Sequence, residues 1–485
     1  MRCRVAQALA RPHARRLGSL RRRARDFAFL VWTVASAGSV QAQAAPKPIA
    51  LTLADAVRFA LDHHPGVGAS VARLAAARAT RELAEATRLP TLDVEAQLDR
   101  ATGNAVAASA FAMPGLPSTA GPVGTRRFDD GYWGTTTALV TAFPLTGLVR
   151  ANRVTSARLA SERAAAAGTD ATRLDVAFGA ASAYLRAMAA AATLRAAEAG
   201  ARRAQTLLTS TDALVTQQLR PGADLARARA ELADAERDVA RAQRENAVAG
   251  ALLADALGSA TPMAIRDSVI SLGAAASAPG RGPDHPLVLE AKEAATAAER
   301  ERAVAALGWW PRVDLVGALW AKGSGVPVNG SVLPAMHDGL NPAVTNWGLG
   351  LLVSWPVLGG PSIGAESRRT DALAQAAAAR EHATENAVNA SREVAAADAG
   401  GAAVVADRAR VALDAARTAL DQATARYGAG LTSVTDVADA QRLLARAEAA
   451  DAVARIDVKL TRLAVARAAG DLPRLLAELR AAGAP

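Results

Sequence analysis

The chain carries one set of landmarks twice, and that repetition constrains its fold more than any other feature. His64-Pro65 recurs as His285-Pro286, and Leu89-Pro90-Thr91-Leu92-Asp93 recurs as Trp310-Pro311-Arg312-Val313-Asp314. Pro65 to Pro90 and Pro286 to Pro311 both span 25 residues, and Pro144 to Asp224 and Pro356 to Asp436 both span 80. Coincident spacings at several landmarks mean a tandem duplication of roughly 210 residues. The copies are expected at 43–272 and 284–470, with a Gly/Pro/Ser-rich linker at 273–283 and a C-terminal tail at 471–485.

Residues 1–42 differ from the rest. They hold nine Arg, no Lys and one acid, Asp26, in a basic stretch followed by an apolar run at 27–40 and Val40-Gln41-Ala42. This is the order of a secretory signal peptide, and about fourteen apolar residues fall short of the ~20 that span a bilayer. Cleavage is expected before Gln43. The remaining chain carries 47 basic and 45 acidic residues, so the formal charge of +10 resides mostly in the leader. A nucleic-acid binder needs its basic excess in the folded domain, so that class is demoted and no nucleic-acid partner is expected. The single cysteine, Cys3, also lies in the leader, which removes disulfides and thiolate metal sites from the exported chain.

Each copy is mainly helical. Thr52 is a plausible N-cap for a first short helix, and proline stands at the first position of the helices that follow His64 and His285. Residues 150–218 form a helical segment that would extend about 100 Å at 1.5 Å per residue. Breaks follow at 220–222 and 428–430, and the last helices start near Asp224 and Ser433. Leu225, Ala228, Leu232, Ala235, Val239 and Ala242 step by three and four, as do Val437, Ala440, Leu444 and Ala447. That period specifies left-handed coiled-coil packing, with alanines permitting close approach. Hydrophobic residues make up 51% of the chain but aromatics only 4%, which suits such thin packing.

Two segments per copy alternate instead. Leu92, Val94, Ala96 and Leu98 share one face, as do Trp347, Leu349, Leu351, Val353 and Trp355. Period-two segments of this length fit membrane-barrel strands. Trp133, Trp309, Trp310, Trp320, Trp347 and Trp355 all lie in or beside them and none in the long helices, as interfacial aromatic girdles would require. Four strands cannot close a barrel, and an open edge in lipid leaves backbone groups unsatisfied. Several chains must therefore share one barrel, two copies giving eight strands and three giving twelve.

In order, doubling and spacing, the landmarks 53–57, His64-Pro65, 89–92, Gly430 and Asp436-Val437 resemble the TolC-type outer membrane factors of Gram-negative efflux and secretion systems. The resemblance implies a homotrimer in the outer membrane. Its twelve-stranded β-barrel would continue into a periplasmic α-barrel of coiled-coil helices, making a passive exit duct for efflux or type I secretion. It implies as partners a periplasmic adaptor, an inner-membrane transporter and outer-membrane lipid, with no cofactor. The alternative, an adaptor subunit itself, should have one hairpin flanked by compact β domains. Tyr427, Asp436 and Asp439 fall where the family lines or latches its periplasmic aperture, and Asp224 is a further aperture candidate, expected to cap its helix. The basic residue often found in that latch is replaced by Thr432. From turn glycine to repeated aspartate the first copy is four residues shorter (Gly222 to Asp224, against Gly430 to Asp436), so the two tips are expected to differ.

Nothing catalytic emerges, and no enzyme is expected. His63-His64 has only one histidine in its counterpart, so the shared feature is the helix break. No phosphate loop, Ser/His/Asp arrangement or Cys/His cluster is present. The interleaved acids and bases at 227–244 read as a solvated coiled-coil flank.

Overall fold

The computed structural model describes residues 50–102, 131–261, 263–266, 285–324, 339–342 and 344–482. The expected signal peptide at 1–42 and the expected linker at 273–283 lie outside them. In chain order the elements are β1 (Ala50–Leu51), α1 (Leu53–His63), α2 (Pro65–Ala86), β2 (Thr91–Thr102), β3 (Gly131–Pro144), α3 (Gly147–Thr216) and α4 (Gly222–Ala256). There follow β4 (Ala264–Ile265), α5 (Pro286–Ala305), a 3-10 turn (Ala306–Trp309), β5 (Arg312–Ser324), β6 (Val344–Ser354), α6 (Gly360–Gly428), α7 (Val434–Ala469) and α8 (Leu472–Ala482). The two copies thus repeat one order: short helix, strand pair, long helix, hairpin, returning helix.

The long helices α3 and α6 run 70 and 69 residues. α3 is the centre of the wall, packed against α2, α4, α5 and α7, whereas α6 packs against α5 and α7. The columns α2/α4 and α6 are therefore the two lateral edges. Heptad seams make the contacts: Val388, Ala395, Ala402, Leu413 and Ala416 of α6 are buried, as are Val437, Ala440, Leu444 and Ala447 of α7. Small side chains on both partners let long helices approach without large aromatics.

The main core sits at mid-length. Leu53 and Val57 of α1, Leu174 and Leu185 of α3, Leu253 of α4, Leu463 of α7 and Leu475 and Leu479 of α8 pack together. Tyr184 is fully buried there, and its hydroxyl donates to the Leu51 carbonyl at 2.9 Å. That carbonyl stands on β1, which pairs in parallel with β4. Residues 472–482, expected only as a tail, form α8 and close this core, because Leu475 and Leu479 lie one helical turn apart on one face.

At this level the repeated His-Pro acquires a physical meaning. His64 and His285 are the N-caps of α2 and α5, and each ring accepts a backbone N–H through Nδ1, from Gly66 at 3.1 Å and Leu287 at 3.2 Å. Opposite each stands a left-handed glycine ending a returning helix: Gly258 (φ +68) beyond α4 and Gly470 (φ +79) beyond α7. A Cβ on either would come within 2.9 Å of the histidine Cα, so only glycine permits the abutment. α4 with α2, and α7 with α5, form two stacked columns.

The four-stranded sheet has the order β2-β3-β5-β6, antiparallel throughout. Its register sets Leu92, Val94 and Leu98 beside Thr141, Leu139 and Thr135, then Leu139 beside Leu319 and Leu319 beside Trp347. One face is consequently apolar from edge to edge. The other carries Asp93, Glu95, Gln97, Asp314 and Lys322 alongside Val140, Val316, Trp320 and Leu352.

Candidate aperture and membrane-facing sheet

The hairpin tips hold the aperture candidates. After α3 the chain turns through Gln218 in the left-handed region (φ 59), with the Leu219 amide donating to the Leu214 carbonyl at 2.9 Å. After α6 it turns through Gly430 (φ 75), with the Leu431 amide donating to the Arg426 carbonyl at 2.9 Å. The two turns are the same motif, so Gln218 corresponds to Gly430 and Arg220 to Thr432. This corrects the expected difference in length. Gln218 and Asp224 are six residues apart, as are Gly430 and Asp436. Glycine was a misleading marker because Gln218 occupies the left-handed position in the first copy.

Arg220 is the residue that sequence reasoning missed. Its guanidinium stacks 4.6 Å from the Tyr427 ring centroid and donates to the Tyr427 carbonyl at 3.1 Å and the Thr432 carbonyl at 3.3 Å. It therefore ties the first tip to the second. The cation absent at Thr432 is present at the equivalent position of the other copy, a signal available from the constant 212-residue offset between Asp224 and Asp436. Tyr427 is buried against Leu207, Val434 and Val437, and its hydroxyl lies 3.3 Å from the buried Thr211 hydroxyl.

The aspartates stand apart from that cluster. Asp436 and Asp439 are both exposed on α7. Asp436 accepts from the Thr432 hydroxyl, and Asp439 lies 2.5 Å from Arg442, which also reaches Glu231 of α4 at 3.2 Å. Asp224 does not cap α4 through its side chain. Pro221 is the N-cap, Asp224 stands in the first turn, and only its backbone amide bonds back, to the Pro221 carbonyl at 3.0 Å. The helix begins two residues earlier than expected because Pro221 already has extended backbone geometry (φ −66, ψ 147).

In the sheet, Trp133 and Trp347 lie on the apolar face toward the end away from the helices. Trp309, Trp310 and Trp355 are exposed at the helical end, and the Trp355 indole donates to the Trp309 carbonyl at 3.2 Å. Trp320 does not share their face. Its register partners are Ala138 and Asn346, which puts it with Glu95 on the polar side, its ring over Gly348. A one-residue change of parity moves a side chain across the sheet, and clustering of tryptophans in sequence cannot reveal that.

Among the described residues there is no group of three or more His, Cys, Asp or Glu placed to hold a metal, and no helix is long and apolar enough to cross a membrane.

Two hairpins of long helices, a repeated half and one four-stranded sheet with an apolar face define an outer-membrane channel subunit and do not favour an adaptor. The family described as outer membrane efflux protein matches residues 56–259 and 284–471, and the chain belongs to that family. It is an outer-membrane protein whose helical part extends into the periplasm. Solved structures share the fold. The outer-membrane channel OprN matches with 23% identity and a TM-score of 0.70, covering 86% of this chain and 89% of that one. The outer membrane protein VceC of Vibrio cholerae matches with 18% identity and a TM-score of 0.70, over 86% and 96%. The CmeC outer membrane channel of Campylobacter jejuni matches with 17% identity and a TM-score of 0.70, over 86% and 85%. No curated protein matches.

Proposed function

We propose that three copies assemble into one passive exit duct, with a shared twelve-stranded barrel in the outer membrane and a helical barrel ending in a periplasmic aperture. The observation that carries this reading is the sheet: four strands with one exposed apolar face and two unpaired edges, β2 and β6. Such edges cannot stand in lipid, and they run in opposite directions, so β6 of one copy can pair with β2 of the next in the antiparallel sense used throughout. Trp347 and Trp355, eight residues apart, lie about 27 Å apart along a strand, comparable to the ~25 Å apolar band of outer-membrane barrels.

The helices support the same assembly. On α6 a second heptad seam, Ala390, Val394, Ala397, Val404, Val411 and Ala415, is wholly exposed in the single chain. On α4, at the opposite edge, Ala226, Ala230, Ala233, Ala240, Ala247 and Ala251 form another. Two unpartnered seams of one spacing on opposite edges are what a closed ring of copies needs. Asp436 and Asp439 from three copies would then place six carboxylates at the mouth and favour cations. Arg220, bound to Tyr427 and Thr432, would hold the tips closed. An adaptor and an inner-membrane transporter would deliver cargo to that mouth. Chemical cross-linking of detergent-extracted outer membranes tests the assembly: a ladder ending at trimer is expected, and one ending at dimer overturns it.

A further inference from the structure

The junction between α7 and α5 differs from its twin between α4 and α2 in one bond. His285 accepts from the Leu287 amide through Nδ1 and also donates through Nε2 to the Arg467 carbonyl at 3.3 Å. The ring is thus at once the N-cap of α5 and the partner of a carbonyl in the last turn of α7. Among the described residues His64 makes only the first of these bonds, to Gly66. One protonation state satisfies both contacts at His285: the neutral ring with its proton on Nε2. An imidazolium would set an Nδ1–H against the Leu287 N–H, at the positive end of the α5 dipole.

We propose that His285 is a proton-sensitive pin in the helical wall: its neutral ring caps α5 against the end of α7, and acidification breaks the Nδ1 cap and frays the first turn of α5. The residue is only 6% exposed. Arg467 of α7 and Arg392 of α6 are the cations around it, and Arg392 itself donates to the Ala468 carbonyl at 3.1 Å. Asp175 of α3 is the facing acid, and it is held by Arg467 at 2.9 Å. One turn along α5, the Glu290 carboxylate lies against Gly168 of α3. Burial, and more weakly the Arg392 and Arg467 guanidiniums, push the imidazole below the ordinary histidine value, against the opposing pull of the Arg467 carbonyl and Asp175. Glu290 is pushed the other way, upward, by burial.

The sign follows from linkage. The open junction binds a proton at the ordinary value near 6.5, whereas the closed junction binds it only at lower pH. The closed form is therefore at full strength above pH ~6.5, and it weakens by up to about tenfold per pH unit below that, until the closed form also protonates.

Hydrogen exchange on the full-length protein in detergent, corrected for the intrinsic pH dependence of exchange, provides the test. Protection at Leu287, Val288 and Leu289 should fall between pH 7 and 5.5 relative to amides of mid-α3. His285→Asn, which can still cap a helix and donate an N–H but does not titrate, should abolish the fall. Glu290→Gln should leave it intact. Protection that is flat in the parent, that still falls in His285→Asn, or that becomes flat in Glu290→Gln overturns the proposal. Should His285→Asn not fold, exchange of the His285 ring C–H in the parent reads its titration directly, and a midpoint at or above 6.5 refutes the pin.

Discussion

Replacing Arg220 with Gln isolates the link between the two tips. The substitution keeps most of the aliphatic stem but removes the cation, both bonds to carbonyls and the stacking on Tyr427. Hydrogen bonds from a charged donor contribute ~1.5–3 kcal/mol each, and an exposed cation–π contact adds ~0.5–1. Arg220 is only half-buried, so water recovers much of this, and about 2 kcal/mol per subunit is a reasonable net loss. At ~1.4 kcal/mol per decade, that shifts a closed–open balance by about 30-fold in each subunit. In planar bilayers the variant should show longer and larger openings than the parent. Arg220→Lys should fall between, since it keeps the charge without the forked geometry. Thermal stability of the assembly should change little, because the mid-length core around Tyr184 is untouched. A variant with the parent's conductance and open time would refute the assignment of Arg220 as the tie.

Three further outcomes test the rest. Leu351→Arg, on the apolar face midway between Trp347 and Trp355, should cost ~2–4 kcal/mol and deplete assembled protein in outer membranes, while Leu352→Arg on the opposite face should be tolerated; equal effects would break the assigned register. Val404→Glu in the exposed seam of α6 should abolish the trimer on native gels, whereas Asp407→Glu beside that seam should not. Asp436→Asn combined with Asp439→Asn should remove cation selectivity, read as the reversal potential across a salt gradient, with trimer yield unchanged.

Periodicity carried most of the architecture. The heptads of 225–242 and 437–447 appear as a half-buried to buried seam on α4 and a buried one on α7, and the alternation at 92–98 and 347–355 appears as the apolar face of the sheet, because each pattern depends only on which side of a repeating backbone a residue occupies. The duplicated His-Pro marked helix starts for the same local reason: proline fixes φ and lacks the N–H that a first turn leaves unpaired. Tertiary placement decided the rest. Nothing local distinguishes Arg220 from the other arginines of an Arg/Ala-rich hairpin; its role exists because α3 and α7 pack and bring residue 220 beside residues 427 and 432. Which face Trp320 occupies was not legible from its clustering with the other tryptophans, because register between strands sets which side a side chain takes. The helix at 472–482 looked like a tail until α1 and α7 supplied the surface that buries Leu475 and Leu479. The sequence by itself determined periodic elements and their duplication, since those follow from backbone geometry. Partners across 200 residues follow from packing, and only the folded chain decides them.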